Sequence, residues 1–300
     1  MTRPRIGLAL GGGGARGWAH IGVLNALEEL ELRPDIICGT SIGALVGGIY
    51  AAGKLPEFEA WVTALSRRDV LALVDFTIGG GGVIGLRRLM RLYREHIGDP
   101  QIEELPISYA AVATDLDSWA EVWLRSGPLL SAIRASIALP GIFTPVHRDG
   151  RWLVDGGVVN PVPVTLCRAL GADLVIAVDL QVGPAMSMAE GAAPAPDGRV
   201  VQQSRGGADA DTESRIEAES KDAPAMSTVI MTALEIMQYR IGRSRLAGDP
   251  PDLVLTPRVS HVHPLAFAGG GPTIDEGYDT VKRMLPALRY VTGIAGPSGI

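Results

Sequence analysis

The pentapeptide Gly39-Thr40-Ser41-Ile42-Gly43 constrains this chain more than any other stretch. Before it, Ile36-Ile37-Cys38 is a short apolar run bounded by Asp35, which suits a strand buried on both faces. After it the residues turn small and helix-compatible, through Ala44, Leu45, Val46, Ile49 and Ala51. A G-x-S-x-G pattern at a strand-to-helix junction is the setting of a nucleophile elbow, a sharp turn that lifts a serine above the end of a sheet. Such a turn tolerates little bulk nearby, hence Gly39 before the serine and Gly43 after it. The N-terminus of the following helix would favour an anion forming at Ser41. The pentapeptide also reads as an ordinary glycine-rich corner with a Thr or Ser cap, so alone it does not establish catalysis.

Ile36 to Gly53 carries no charge, which reaches the ~18-residue threshold for a membrane-spanning helix. Gly39, Gly43, Gly47 and Gly48 and the Thr-Ser break argue for a central strand and a buried helix. The apolar run Ile6 to Leu10 is too short for a signal peptide. A soluble, cytoplasmic protein without a signal peptide or transmembrane helix is expected.

Arg5 to Leu10 reads as the first strand, followed by Gly11-Gly12-Gly13-Gly14-Ala15-Arg16-Gly17 and a helix from about Trp18 to Leu32. Strand, glycine loop and helix form an anion-binding device, because backbone N–H groups converge where side chains are absent. Gly12-x-Gly14-x-x-Gly17 also matches the dinucleotide fingerprint, so a nucleotide site is a rival reading. That site wants an acid at the end of the second strand, whereas Asp35 lies before it and Ser41 stands at its end. The loop and the serine therefore belong to one edge of the sheet, as an oxyanion hole beside a nucleophile would require.

Further along, 54–74 reads as one amphipathic helix, with Phe58, Trp61, Leu65 and Val70 to Leu73 inward. Asp75 to Leu86 mixes glycines with apolar residues, as a lipid-touching flap or a connector that packs back would. Arg87, Arg88, Arg91 and Arg94 read as a solvated helix face more than a membrane-surface patch. Strands are expected at 107–114, 120–124, 151–154, 174–179 and 252–256. Helices are expected at 128–138, 229–246 and 273–288. Asp155-Gly156-Gly157 is in isolation a hairpin turn. From Gly183 to Ala225 no aromatic occurs and Ala, Gly, Asp, Glu and Ser dominate, so a disordered insertion is expected. One domain spans 1–300, its core about 5–180 and 226–290, interrupted by 183–225.

The net charge of -6 argues against nonspecific nucleic-acid binding, and 47% hydrophobic residues suffice for a large core. Cys38 and Cys167 make no disulfide framework, and His261-x-His263 is too isolated for a metal site. No cofactor is expected.

Taken in order, Gly12-Gly13-Gly14-Ala15-Arg16-Gly17, Gly39-Thr40-Ser41-Ile42-Gly43 and Asp155-Gly156-Gly157 resemble the motifs of the patatin-like phospholipases. The resemblance extends through Ala113-Thr114-Asp115-Leu116, the Ala135 to Pro145 segment, and the Asn160-Pro161-Val162 stretch. It implies a three-layer α/β/α sandwich with a mainly parallel sheet, and hydrolysis of lipid acyl esters, phospholipids or lysophospholipids. It implies Ser41 as nucleophile, Asp155 as its sole partner, and the amides of Gly12, Gly13 and Gly14 as the oxyanion hole. An Asp with an ordinary pKa of ~3.9 would act ionised and leave the rate flat to low pH. A lipid substrate implies transient contact with a membrane surface. Arg16 is expected in a structural ion pair, and His20 and His147 in structural roles. A Ser-His-Asp hydrolase would instead use Ser41, Asp155 and His261 or His263.

Overall fold

The computed structural model describes residues 3–73, 75–76, 84–181, 183 and 225–294. The interior of the expected insertion, 184–224, lies outside the described residues, as do 77–83 of the expected flap. The chain opens with β1 (Ile6–Leu10), a 3-10 turn (Gly14–Trp18), α1 (Ala19–Glu29), β2 (Ile36–Thr40) and α2 (Ile42–Ala51). It continues through α3 (Leu55–Ala64), α4 (Arg67–Leu73), β3 (Asp75–Phe76), β4 (Ile84–Gly85) and α5 (Arg87–Ile97). Next come β5 (Ser108–Asp115), β6 (Glu121–Leu124), α6 (Leu129–Ser136), β7 (Val146–Arg148), β8 (Arg151–Asp155), α7 (Val164–Ala169) and β9 (Leu174–Val178). The last elements are α8 (Met226–Gly248), β10 (Leu253–Leu255), α9 (Gly271–Arg283) and α10 (Leu285–Thr292).

Strands β10, β9, β1, β2 and β5 lie side by side, each parallel to its neighbours. Their residues alternate between two apolar faces, which is why they read as continuous hydrophobic runs. Leu8, Leu10 and Ile37 pack with Ile21 and Leu24 of α1, Ile49 of α2 and Ile133 of α6. Ala9, Ile36, Cys38 and Val112 face the other way, onto Leu166 and Cys167 of α7. The result is an α/β/α sandwich of three layers. Both cysteines are free and buried in it. Because β10 pairs with β9, the chain before and after 184–224 contributes to one sheet.

Where β5 runs past the end of β2, the sheet changes direction. Ala111 and Val112 pair with β2 on one side and with antiparallel β6 on the other. Ala113 and Thr114 pair with β6 and with antiparallel β8. A strand has two edges, so β8 occupies the edge that β2 vacates.

Two expected helices are each divided. Ser66 and Asp69 cap each other: the Ser66 amide and hydroxyl donate to Asp69, and the Asp69 amide donates back to Ser66 Oγ. This reciprocal cap starts α4 afresh and ends the single helix expected over 54–74. It also turns Leu71 outward, at 72% exposure, against the expectation that it faces inward. At the other division Pro286 lies in the first turn of α10, where its missing N–H costs nothing.

Candidate active site

Ser41 sits between β2 and α2 with φ 56° and ψ −123°, a conformation that non-glycine residues rarely adopt. The turn is tight enough to exclude side chains on both flanks. A Cβ on Gly39 would lie 2.4 Å from the backbone of Ala44, and one on Gly43 would lie 2.2 Å from the carbonyl oxygen of Leu10. Buried hydroxyls hold the turn in place. The Ser41 amide donates to Ser136 Oγ at 2.9 Å, and Ser136 Oγ donates to the Val112 carbonyl at 2.6 Å. Thr40 Oγ1 donates to the carbonyl of Asn160 at 2.8 Å. Such strain persists where the surroundings over-determine it.

Asp155 ends β8 and is fully buried. Its Oδ2 accepts from Ser41 Oγ at 2.5 Å, and its Oδ1 accepts from the Gly157 amide at 2.7 Å. Asp155-Gly156-Gly157 is thus a carboxylate cap on a short 3-10 turn, not a hairpin turn. The Thr114 hydroxyl donates to the Asp155 carbonyl at 2.9 Å. Burial pushes the Asp155 pKa up to about 6, against the opposing pull of the two hydrogen bonds to its carboxylate. The expectation of an ordinary carboxylate pKa is therefore corrected: removal from water outweighs both donors.

The glycine loop lies against the serine turn. The Gly12 amide already donates to the Pro161 carbonyl at 3.0 Å, so it is not free for an oxyanion as the sequence suggested. Gly13 and Gly14 line the cavity with Ser41. Two side chains that sequence reasoning did not assign to the site fix the peptide planes here. His20 Nε2 lies 2.8 Å from the Gly11 carbonyl, and Gln181 Nε2 donates to the Gly12 carbonyl at 3.1 Å. In a trans peptide C=O and N–H point apart, so anchoring the Gly12 carbonyl turns the Gly13 N–H away from Gln181. Burial lowers the His20 pKa to about 4. The ring is neutral, and since a carbonyl only accepts, its proton is on Nε2. Gly17 packs against Ile42, and Gly156 against the carbonyl of Val112.

From Ser41 an apolar cavity of about 340 Å³ opens, walled by Leu45, Leu65, Leu89, Ile137, Phe143 and Met231 among others. Ile84 and Leu86 also line it, so the near end of the expected flap packs back onto the site. Its charged lining is Arg16 and Glu235, which form an ion pair at 2.8 Å. The structural pair expected of Arg16 therefore stands inside the site. Among the described residues no histidine hydrogen-bonds to Ser41 or Asp155. His261 and His263 are exposed, and His263 Nδ1 accepts from the Leu265 amide. Nor does any group of three or more His, Cys, Asp and Glu among the described residues form a metal cage.

The profile of the patatin-like phospholipases matches residues 8–168. The chain belongs to the patatin-like phospholipase family. Its relatives include an uncharacterized NTE family protein of Mycobacterium tuberculosis, 48% identical over 187 residues, 61% of this chain and 52% of the relative. Another is patatin-like phospholipase domain-containing protein 6 of Homo sapiens, 38% identical over 186 residues, 60% of this chain and 14% of the relative. This patatin-like chain thus spans about half the length of the mycobacterial relative and a small part of the human one. The solved structure of VipD from Legionella pneumophila aligns with a TM-score of 0.47 at 13% identity, over 95% of this chain and 67% of that one.

Proposed function

We propose that this chain is a serine acyl hydrolase that cleaves carboxyl esters of phospholipids or lysophospholipids. Ser41 Oγ attacks the ester carbonyl while its proton passes to Asp155 Oδ2. The tetrahedral oxyanion is met by the amides of Gly13 and Gly14; Gly12 contributes position, its own amide being engaged by Pro161. Collapse breaks the bond to the alcohol oxygen, which takes the proton from Asp155 and leaves an acyl ester on Ser41. Water then attacks that ester and gives a proton to Asp155. The second collapse releases the fatty acid and returns the proton to Ser41.

The observation that carries this reading is the 2.5 Å hydrogen bond from Ser41 to a fully buried Asp155 at the foot of an apolar cavity. A carboxylate with a pKa near 6 is a stronger base than an exposed one, yet still ionised at neutral pH. The apolar walls suit an acyl chain and exclude water, which strengthens each donor at the oxyanion; one such donor is worth about 3–4 kcal/mol. The triad reading lacks a histidine at the dyad, and a dinucleotide gains little from walls of Leu, Ile and Phe.

The test is a panel of phospholipid, lysophospholipid and p-nitrophenyl esters assayed with wild type and Ser41→Ala. Release of fatty acid or nitrophenol by wild type alone is expected. Equal release by Ser41→Ala, or none from any ester by wild type, contradicts the proposal.

A further inference from the structure

Helix α8 is apolar on both sides. Its inner side, through Met231 and Leu234, lines the catalytic cavity beside Glu235 and Gln238. Its outer side presents Met226, Val229, Ile236 and Met237 to solvent, with Ile236 56% and Met237 51% exposed. A surface helix of a water-facing enzyme would be polar there. One turn further on, the same outer side carries exposed Arg240, while Arg243 lines a neighbouring pocket with Asp179. Across the cavity, α4 and α5 repeat the combination. Val70, Leu73 and Leu89 line the interior, while Arg67, Arg68, Arg87 and Arg91 are exposed and Leu71 projects into solvent. The walls of the cavity are thus basic and apolar outside, on a chain whose net charge is -6.

We propose that the outer face of α8, flanked by these arginines, docks on the surface of an anionic lipid bilayer. In that position Val229, Ile236 and Met237 enter the headgroup boundary and the arginines meet lipid phosphates. The proposal rests on the reading of the Ser41 cavity as a lipid hydrolase site, and it names the surface by which that cavity meets its substrate. Charge chooses this occupant over a second copy of the chain. A two-fold interface would set the patch against itself and bring arginines of equal sign together. Among the described residues no helix is long and apolar enough to cross a membrane, so α8 lies in the interface. Attraction of each arginine to anionic lipid is modest and screened by salt, so apolar entry and charge must act together.

The experiment is co-sedimentation of the full chain with phosphatidylcholine vesicles, with and without phosphatidylglycerol, alongside turnover of soluble p-nitrophenyl butyrate. Binding to phosphatidylglycerol vesicles should exceed binding to phosphatidylcholine alone by about tenfold or more and should weaken with salt. The double variant Ile236→Glu, Met237→Glu should lose about tenfold or more in vesicle affinity and in vesicle-lipid hydrolysis, with soluble-ester turnover unchanged. Arg240→Glu should lower the preference for phosphatidylglycerol and leave binding to phosphatidylcholine intact. Wild type that cleaves the soluble ester but ignores vesicles overturns the docking proposal. So does a double variant that binds like wild type, or one whose loss coincides with a dimer becoming a monomer. Wild type inert to the soluble ester would strike the catalytic reading, while sedimentation would still decide the docking.

Discussion

Thr40 and Asp155 lie on strands of opposite direction, yet they pair with adjacent residues, Val112 and Ala113, of the same edge of β5. The hydrogen bond from Ser41 to Asp155 follows from that register. Ser41 comes one residue after Thr40, and the carboxylate of Asp155 arrives from the far side of the same gap. No third side chain is needed to bridge them. A slip of one residue in the β5–β8 register would turn Asp155 to the other face of the sheet.

Ser136 is expected to be the most sensitive support of this arrangement. It accepts from the Ser41 amide and donates to the Val112 carbonyl, tying the turn to β5, the strand against which Asp155 pairs. Ser136→Ala leaves a buried amide unpaired, a loss of about 1–3 kcal/mol. Turnover of a soluble ester should fall roughly tenfold and the melting temperature by several degrees. Unchanged turnover would show that the turn holds itself.

The pH dependence should carry the mark of a buried carboxylate. In the proposed mechanism Asp155 must be ionised to accept the proton, so kcat/KM should rise with pH through about 6 and level off above it. An exposed aspartate would have put that limb near pH ~4. The raised value falls in the range of a histidine, so the profile alone does not separate dyad from triad. Substitution does: His261→Ala and His263→Ala should keep both the rate and the limb.

Asp155→Asn should be inactive but more stable. The carboxyl pKa is higher in the folded protein than in an unfolded chain, so the folded state binds more protons between pH ~4 and ~6. Stability contributed by the neutral form is therefore present at low pH and lost as pH rises through about 6. A neutral amide removes that loss. At pH 8 the variant should gain roughly 2–3 kcal/mol at most, and the gain should vanish toward pH 4. The pH dependence of His20 is common to both proteins and cancels in the difference. Thermal melts across this range check it; a variant less stable at pH 8 would contradict the burial account.

Much of this was legible in the sequence because the informative residues are local. Gly39 is dictated by the backbone of Gly43 and Ala44, two and three residues after the serine, so the motif declares the turn, although Gly43 itself is fixed by the distant carbonyl of Leu10. The runs Ile6 to Leu10, Ile36 to Cys38 and Leu174 to Val178 declare buried parallel strands. What stayed hidden depends on distance in the chain. The engagement of the Gly12 amide by Pro161, and of its carbonyl by Gln181, joins residues far apart in sequence, and no spacing rule reports it. The Asp155 pKa is hidden for the same reason, since desolvation is a property of the assembled core. Ser136 lay inside the Ala135 to Pro145 segment that the family resemblance singled out, but only the fold assigns its hydroxyl a task. The helix break at Ser66 was readable, as Ser66-x-x-Asp69 is a capping box, and the apolar periodicity around it masked the signal.

The central claim is that Asp155 alone activates Ser41. The measurement that tests it most directly is the rate of fluorophosphonate labelling, with the adduct mapped by mass spectrometry. Wild type should give a single adduct on Ser41. The His261→Ala, His263→Ala double variant should label at the wild-type rate, and Asp155→Asn should label about a thousandfold more slowly. Wild-type labelling by Asp155→Asn, loss of labelling in the histidine variant, or an adduct on another residue would contradict the account.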